Sequence, residues 1–260
     1  MIRQITFINK RKTLRGTLHL PDEIKKPVPG VIILHGFTAN RTGPHRILRG
    51  LSIALQEAGI ASLRFDFAGS GESDGEFSDM LFSGEISDAE AALNWFTELP
   101  DIDSKRLGIM GQSMGGTVAA GLISKVASFR SAVLWAAPIS KNGTSIEETG
   151  EFYKGKDGRK YTDIRGYPVC EDFFKEFKTL DFPKTFVINV PDILFVHGTK
   201  DKTVPSSHSE ECFRLLPEGK AKEFFSVPGG DHTFTNHSHK EAVIRKTVKW
   251  LAETLVKKSP

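Results

Sequence analysis

Gly111-Gln112-Ser113-Met114-Gly115 follows the apolar run Leu107-Gly108-Ile109-Met110 and leads into the small residues Thr117-Val118-Ala119-Ala120. That composition predicts a strand, a sharp turn and a helix, with the serine at the tip of the turn. Glycines two before and two after the serine remove side chains that would collide where the strand becomes a helix. The helix points its free N-terminal N–H groups at the same spot, so the Met114 amide is available to a negatively charged oxygen. The chemistry this segment proposes is acyl transfer through a serine nucleophile. Gly71-Glu72-Ser73-Asp74-Gly75 fits the same pattern. Its flanks Ser70, Glu76 and Ser78 are polar and no small apolar helix follows, so Ser73 reads as a loop serine.

A serine hydroxyl is a poor nucleophile at neutral pH and needs a general base within hydrogen-bond reach, for which histidine is suited. Eight histidines compete. His19, His35 and His197 lie in or at the end of strand-like runs and read as structural. His45 and His208 open helices, while His237 and His239 introduce the last one. His232 sits in Pro228-Gly229-Gly230-Asp231-His232-Thr233, a loop between the last strand and the last helix at the carboxyl edge of the sheet, where Ser113 must also be. The base needs a carboxylate on its other nitrogen. Asp201, just past the preceding strand, supplies it. Asp231 competes, but a neighbour in sequence normally points away from the ring. Asp192 precedes its strand and belongs at the wrong end of the sheet. The Phe37 N–H, at the end of the strand closing in His35-Gly36, is the second oxyanion donor beside Met114.

The elements that must position these groups are legible in the hydropathy pattern. Ile5 to Ile8 and Leu14 to Leu20 alternate around Asn9-Lys10-Arg11-Lys12, predicting an antiparallel hairpin at a sheet edge. From Gly30 to His35 the chain becomes continuously apolar and β-branched, as a parallel strand buried on both faces should be. Such strands recur at 60–65, 106–110, 132–136, 193–196 and 224–227. Helical patterns lie between them at 43–58, 85–99, 115–126, 206–216 and 238–257, so the reading is a mostly parallel, doubly wound α/β sheet. Residues 138–191 exceed what one crossover needs and are read as an inserted cap over the serine. It holds a hairpin turn at Gly155-Lys156-Asp157-Gly158-Arg159-Lys160 and a short helix around Phe173-Phe174-Lys175-Glu176-Phe177.

With 260 residues and 39% apolar content the chain forms one α/β domain, residues 1–260, decorated by that cap. A net charge of +3 with scattered basic residues argues against nucleic acid. Cys170 and Cys212 lack CxxC spacing, which argues against zinc, thioredoxin-like and disulfide-framework readings. Met1 to Phe7 shows no apolar leader core and no run spans a bilayer, so the expectation is a cytoplasmic protein acting on a small-molecule ester without metal or cofactor. A homodimer is the working expectation for its assembly.

His35-Gly36-Phe37, Asp66-Phe67-Ala68-Gly69-Ser70-Gly71, the Ser113 segment, His197-Gly198-Thr199-Lys200-Asp201 and Gly230-Asp231-His232 together resemble the α/β-hydrolase family, whose triad runs in the order Ser, Asp, His. More narrowly, the chain is similar to the bacterial cinnamoyl (feruloyl) esterases, intracellular enzymes with a small insertion between the sixth and seventh core strands. Residues 138–191 fit that description. The resemblance implies Ser113 as nucleophile, His232 as base, Asp201 as orienting acid, and the Phe37 and Met114 amides as oxyanion hole. In those esterases polar side chains of the insertion hold the phenolic hydroxyl; Tyr153, Tyr161 and Asp163 are the candidates here, with surface exposure as their competing fate. The expected activity is a serine carboxylesterase favouring hydroxycinnamate esters. A general short-chain acyl esterase or lipase-like enzyme is the alternative, and a thioesterase is a further one. Oligopeptidase activity ranks lower, because those enzymes usually add a large substrate-sizing domain. A non-catalytic ligand-binding protein on the same fold is disfavoured by the intact triad.

Overall fold

The computed structural model of the chain describes residues 1–139, 151–179, 190–219 and 221–256. Strands β1 (Ile2–Asn9) and β2 (Lys12–His19) pair antiparallel, and the turn residues Lys10 and Arg11 both take positive φ, 45° and 67°, which matches the twist of a two-residue hairpin. The chain continues through β3 (Val28–Leu34), β4 (Ala61–Phe65), β5 (Ile102–Gln112) and β6 (Phe129–Trp135). It then leaves for a small antiparallel sheet of β7 (Tyr153–Lys154), β8 (Lys160–Ile164) and β9 (Tyr167–Cys170), and returns in β10 (Asp192–Gly198) and β11 (Lys222–Val227). The main sheet has the order β1-β2-β4-β3-β5-β6-β10-β11, with β2 antiparallel to β4 and every later pairing parallel. That topology is the α/β-hydrolase fold anticipated from the motifs.

Both faces of the sheet are covered, which is why its central strands are apolar without alternation. Val31 and Ile33 of β3 face one core with helices α1 (Ile47–Glu57) and, at the far end of the chain, His237–Leu251; Ile32 and Leu34 face the other with α2 (Phe82–Thr97) and α3 (Met114–Lys125). Ile47, Leu48, Leu51 and Leu55 of α1 are fully buried along one face, each worth about 1.5–3 kcal/mol against exposure. Helix α4 (Glu171–Lys178) follows β9, α5 (Ser207–Leu215) joins β10 to β11, and His237–Leu251 is α6.

Two of the differences from the predicted bounds have a local cause. The helix expected from residue 43 begins as a 3-10 turn over Pro44–Arg46, and α1 starts only at Ile47, because His45 and Arg46 are left-handed at φ 50° and 60°. Strand β5 starts at Ile102, four residues before the predicted Arg106, through a polar stretch that pairs with β3 at Val28. Among the described residues no helix is long and apolar enough to cross a membrane.

Candidate active site

The turn between β5 and α3 carries the strain that its glycines anticipate. Ser113 has φ 53° and ψ −126°, a conformation that a side-chain-bearing residue adopts only when its surroundings enforce it. They do so here: the Ser113 N–H donates to the Trp135 carbonyl at 2.8 Å, and the Ser113 carbonyl accepts from the Gly116 N–H at 2.8 Å. A Cβ on Gly111 would run into the Gly115 carbonyl, and one on Gly115 into the carbonyls of Leu34 and His35. Only glycine lets β5, β3 and α3 approach this closely. The Met114 N–H opens α3, and neither it nor the Phe37 N–H has an acceptor among the described residues.

The loops after β10 and β11 bring the partners. His232 Nε2 lies 2.9 Å from Ser113 Oγ, and His232 Nδ1 lies 2.7 Å from Asp201 Oδ2. The loops are laced together, since the Lys200 N–H donates to the Gly230 carbonyl at 2.9 Å and the Gly229 N–H to Thr199 Oγ1 at 2.8 Å. Asp201 is buried; its Oδ1 accepts from the Thr203 and Val204 amides, both at 2.8 Å, and its Oδ2 also lies 3.2 Å from His197 Nε2. Burial pushes the Asp201 carboxyl up, but hydrogen bonds from His197 and His232 outweigh it and hold the group below the usual carboxylate range. An ionised Asp201 fixes the proton of neutral His232 on Nδ1 and leaves Nε2 free to accept from Ser113. That arrangement can deprotonate a nucleophilic serine and stabilise the imidazolium that results.

The competing residues are otherwise engaged. Asp231 Oδ1 accepts from the Thr235 N–H at 2.7 Å, and Asp192 accepts from the Ala221 N–H at the opposite end of β10. Ser73 donates to the Asp66 carbonyl at 2.6 Å and accepts from the Arg15 N–H, a structural serine in its loop. His35 and His197 are buried, as their strand positions predict; His197 pairs with Ser209 Oγ and the Val204 carbonyl.

A cavity of about 580 Å³ opens over Ser113. Its lining includes Phe37, Gln112, Met114 and His232 together with the tip of the β8–β9 hairpin, Asp163, Ile164 and Arg165. Of the three substrate-binding candidates only Asp163 lines it. Tyr153 and Tyr161 face each other across β7 and β8 outside the lining: the Tyr153 hydroxyl donates to Asp163 Oδ1 at 3.0 Å and the Tyr161 hydroxyl to Asp157 Oδ2 at 2.5 Å. Their hydroxyls are taken up by carboxylates of their own hairpin. Residues 140–150 and 180–189 of the inserted segment lie outside the described residues.

The sequence matches the prolyl oligopeptidase family, Peptidase_S9, over residues 50–258. The chain belongs to that family. This assignment is broader than the cinnamoyl esterases that the motifs resemble. Among relatives, YfhR of Salmonella typhi, named as an uncharacterized protein, is 27% identical over 234 residues, covering 88% of this chain and 73% of YfhR. Est1E from Butyrivibrio proteoclasticus with ferulic acid bound superposes with a TM-score of 0.81 at 22% identity, over 97% of this chain and 100% of Est1E. The esterase domain of a Rhodothermus marinus protein gives a TM-score of 0.75 at 21% identity, over 98% of this chain and 99% of that domain. At these identities the structural likeness concerns the fold, which is that of the serine-hydrolase type.

Several features of this family member's site carried no signal in the sequence. His197 reads as a strand-end histidine, and only the tertiary structure brings its ring against Asp201. Gln112 is a variable position of the serine motif and Arg165 belongs to no motif. Both line the cavity.

Proposed function

We propose that the protein is a serine carboxylesterase. The observation that carries this reading is the hydrogen-bonded relay Ser113–His232–Asp201, beside two amides with no acceptor among the described residues. Ser113 Oγ attacks the ester carbonyl as its proton passes to His232 Nε2, and the oxyanion is taken by the Phe37 and Met114 N–H groups. Collapse expels the alcohol, which receives the proton from His232. Water then attacks the acyl-enzyme by the same route and releases the acid. Asp201 stays ionised throughout.

Hydroxycinnamate esters are the proposed substrates, with residues 138–191 acting as the cap that shapes their pocket. The apolar wall at Phe37, the cavity volume and the ferulic acid held by Est1E support this choice. The family assignment favours a second reading, cleavage of small peptides. Both are tested by measuring kcat/KM of wild type and Ser113→Ala for methyl ferulate, 4-nitrophenyl butyrate and a prolyl 4-nitroanilide, with fluorophosphonate labelling of both proteins. Labelling confined to wild type and turnover of the esters are expected. Preference for the anilide would replace the esterase by a peptidase. No labelling and no turnover would leave a binding protein on this fold.

A further inference from the structure

The β8–β9 hairpin closes in two residues, Arg165 and Gly166, and both have positive φ, 54° and 84°. Such a turn favours Asn-Gly or Gly-Gly, and an arginine in its first central position is held against its local preference. The turn is anchored. Tyr167 packs on Phe77 at 4.6 Å between ring centroids, Phe77 on Phe37 at 5.4 Å, and Arg159 of the neighbouring turn donates to Asp79 at 2.7 Å. Arg165, an exposed residue, thereby lines the same cavity as Ser113.

Its guanidinium has no hydrogen bond, ion pair or ring contact among the described residues. The other charged groups of the lining are committed: Asp163 to the Tyr153 hydroxyl and His232 to Ser113 and Asp201. In the lining of the same cavity Gln112, 2% exposed, has both amide atoms buried without a partner among the described residues. Those atoms have no surface open to the cavity, so Arg165 is the charged group of this lining available to an occupant.

We propose that Arg165 is a specificity residue that selects esters carrying a carboxylate remote from the scissile bond, an inference that rests on the esterase reading. A guanidinium offers two parallel N–H donors to a carboxylate, and a neutral ester of the same shape cannot use them. The carboxylate can sit on the acyl or the alcohol side, and the two are separated by paired substrates. The acyl pair is 4-nitrophenyl hydrogen adipate and its methyl ester; the alcohol pair is 4-carboxyphenyl butyrate and its methyl ester.

The quantity read is the ratio of kcat/KM for the charged over the neutral member of each pair. In Arg165→Gln that ratio is expected to fall about tenfold in one series, with partial restoration in Arg165→Lys. Ratios within twofold of wild type in both series, with turnover retained, would overturn the proposal and leave the esterase reading standing. Were wild type to hydrolyse no ester, the esterase reading would fail alone. Calorimetric binding of adipate to Ser113→Ala, with and without Arg165→Gln, would still decide the role of the arginine. Adipate bound only when Arg165 is present supports it; equal binding, or none to either, overturns it.

Discussion

At Asp201 two histidine rings and two backbone amides converge on one carboxylate. His197 Nε2 faces both Asp201 and the Val204 carbonyl, two acceptors, so that nitrogen carries the proton and Nδ1 accepts from Ser209 Oγ. The bonds from His197 and His232 overcome burial and depress the Asp201 pKa in the fold. A depressed carboxylate contributes stability that is present above its unfolded value, about 3.9, and is lost as pH falls through the lower folded value. Asp201→Asn keeps the two amide bonds to Oδ1 but presents His232 with a neutral amide in place of a charge. Turnover of 4-nitrophenyl butyrate should fall by about 10⁴-fold with the fold intact by circular dichroism, whereas Asp231→Asn should stay within a few-fold of wild type. The reverse order would move the orienting role to Asp231.

Helix α2 shows what an element can tolerate for the sake of its packing. Glu85 is buried in its first turn with Oε2 lacking a partner among the described residues, and burial, then the nearby Asp88 carboxylate, raises its pKa well above the ordinary value. Burial raises the Asp88 pKa as well, opposed by hydrogen bonds from Asn9 Nδ2 at 2.7 Å and the Ala68 N–H at 2.9 Å and by the charges of Lys12 and Lys10. These bonds tie α2 to the β1–β2 turn and to the loop after β4. For Glu85 the sign runs opposite to Asp201. An acid with a raised folded pKa binds its proton more tightly in the fold than in the unfolded chain. Stability therefore declines as pH rises above the unfolded value of about 4.3. Glu85→Gln should flatten the loss of stability between pH 5 and pH 8 in urea melts; an unchanged slope would assign that loss to another group.

Across the whole molecule, the small sheet and α4 are joined to the hydrolase core by a row of aromatic rings. Phe173 stacks on Phe37 at 5.7 Å and packs on Phe174 and Phe177 at 5.4 and 5.6 Å, itself without exposed surface. Because Phe37 also lines the cavity, the packing of the insertion and the geometry of the site share one residue. Phe173→Ala should cost about 3–5 kcal/mol by chemical denaturation. It should also raise KM for methyl ferulate more than it lowers kcat for 4-nitrophenyl butyrate. A variant destabilised as expected but with unchanged KM for the ferulate would detach the insertion from substrate selection.

The elements and their order are legible along the chain because they are local matters: β-branched runs between glycines, a serine between two glycines at a strand-to-helix turn, apolar stripes at helical spacing. The sequence also ranked Ser113, His232 and Asp201 above their rivals, since a sheet with this connectivity brings its carboxyl-end loops to one edge. Which atoms meet depends on packing between elements far apart in the chain. Residues 113, 201 and 232 are brought within 2.9 Å by loops laced across β10 and β11, and His197 joins them through a buried ring that strand periodicity marks merely as structural. The hydroxyls of Tyr153 and Tyr161 were drawn to Asp163 and Asp157 by hairpin register, and the same register carried Arg165 to the cavity wall. Side-chain direction on a short antiparallel sheet depends on pairing and on what packs beneath it, and neither is written in any local pattern.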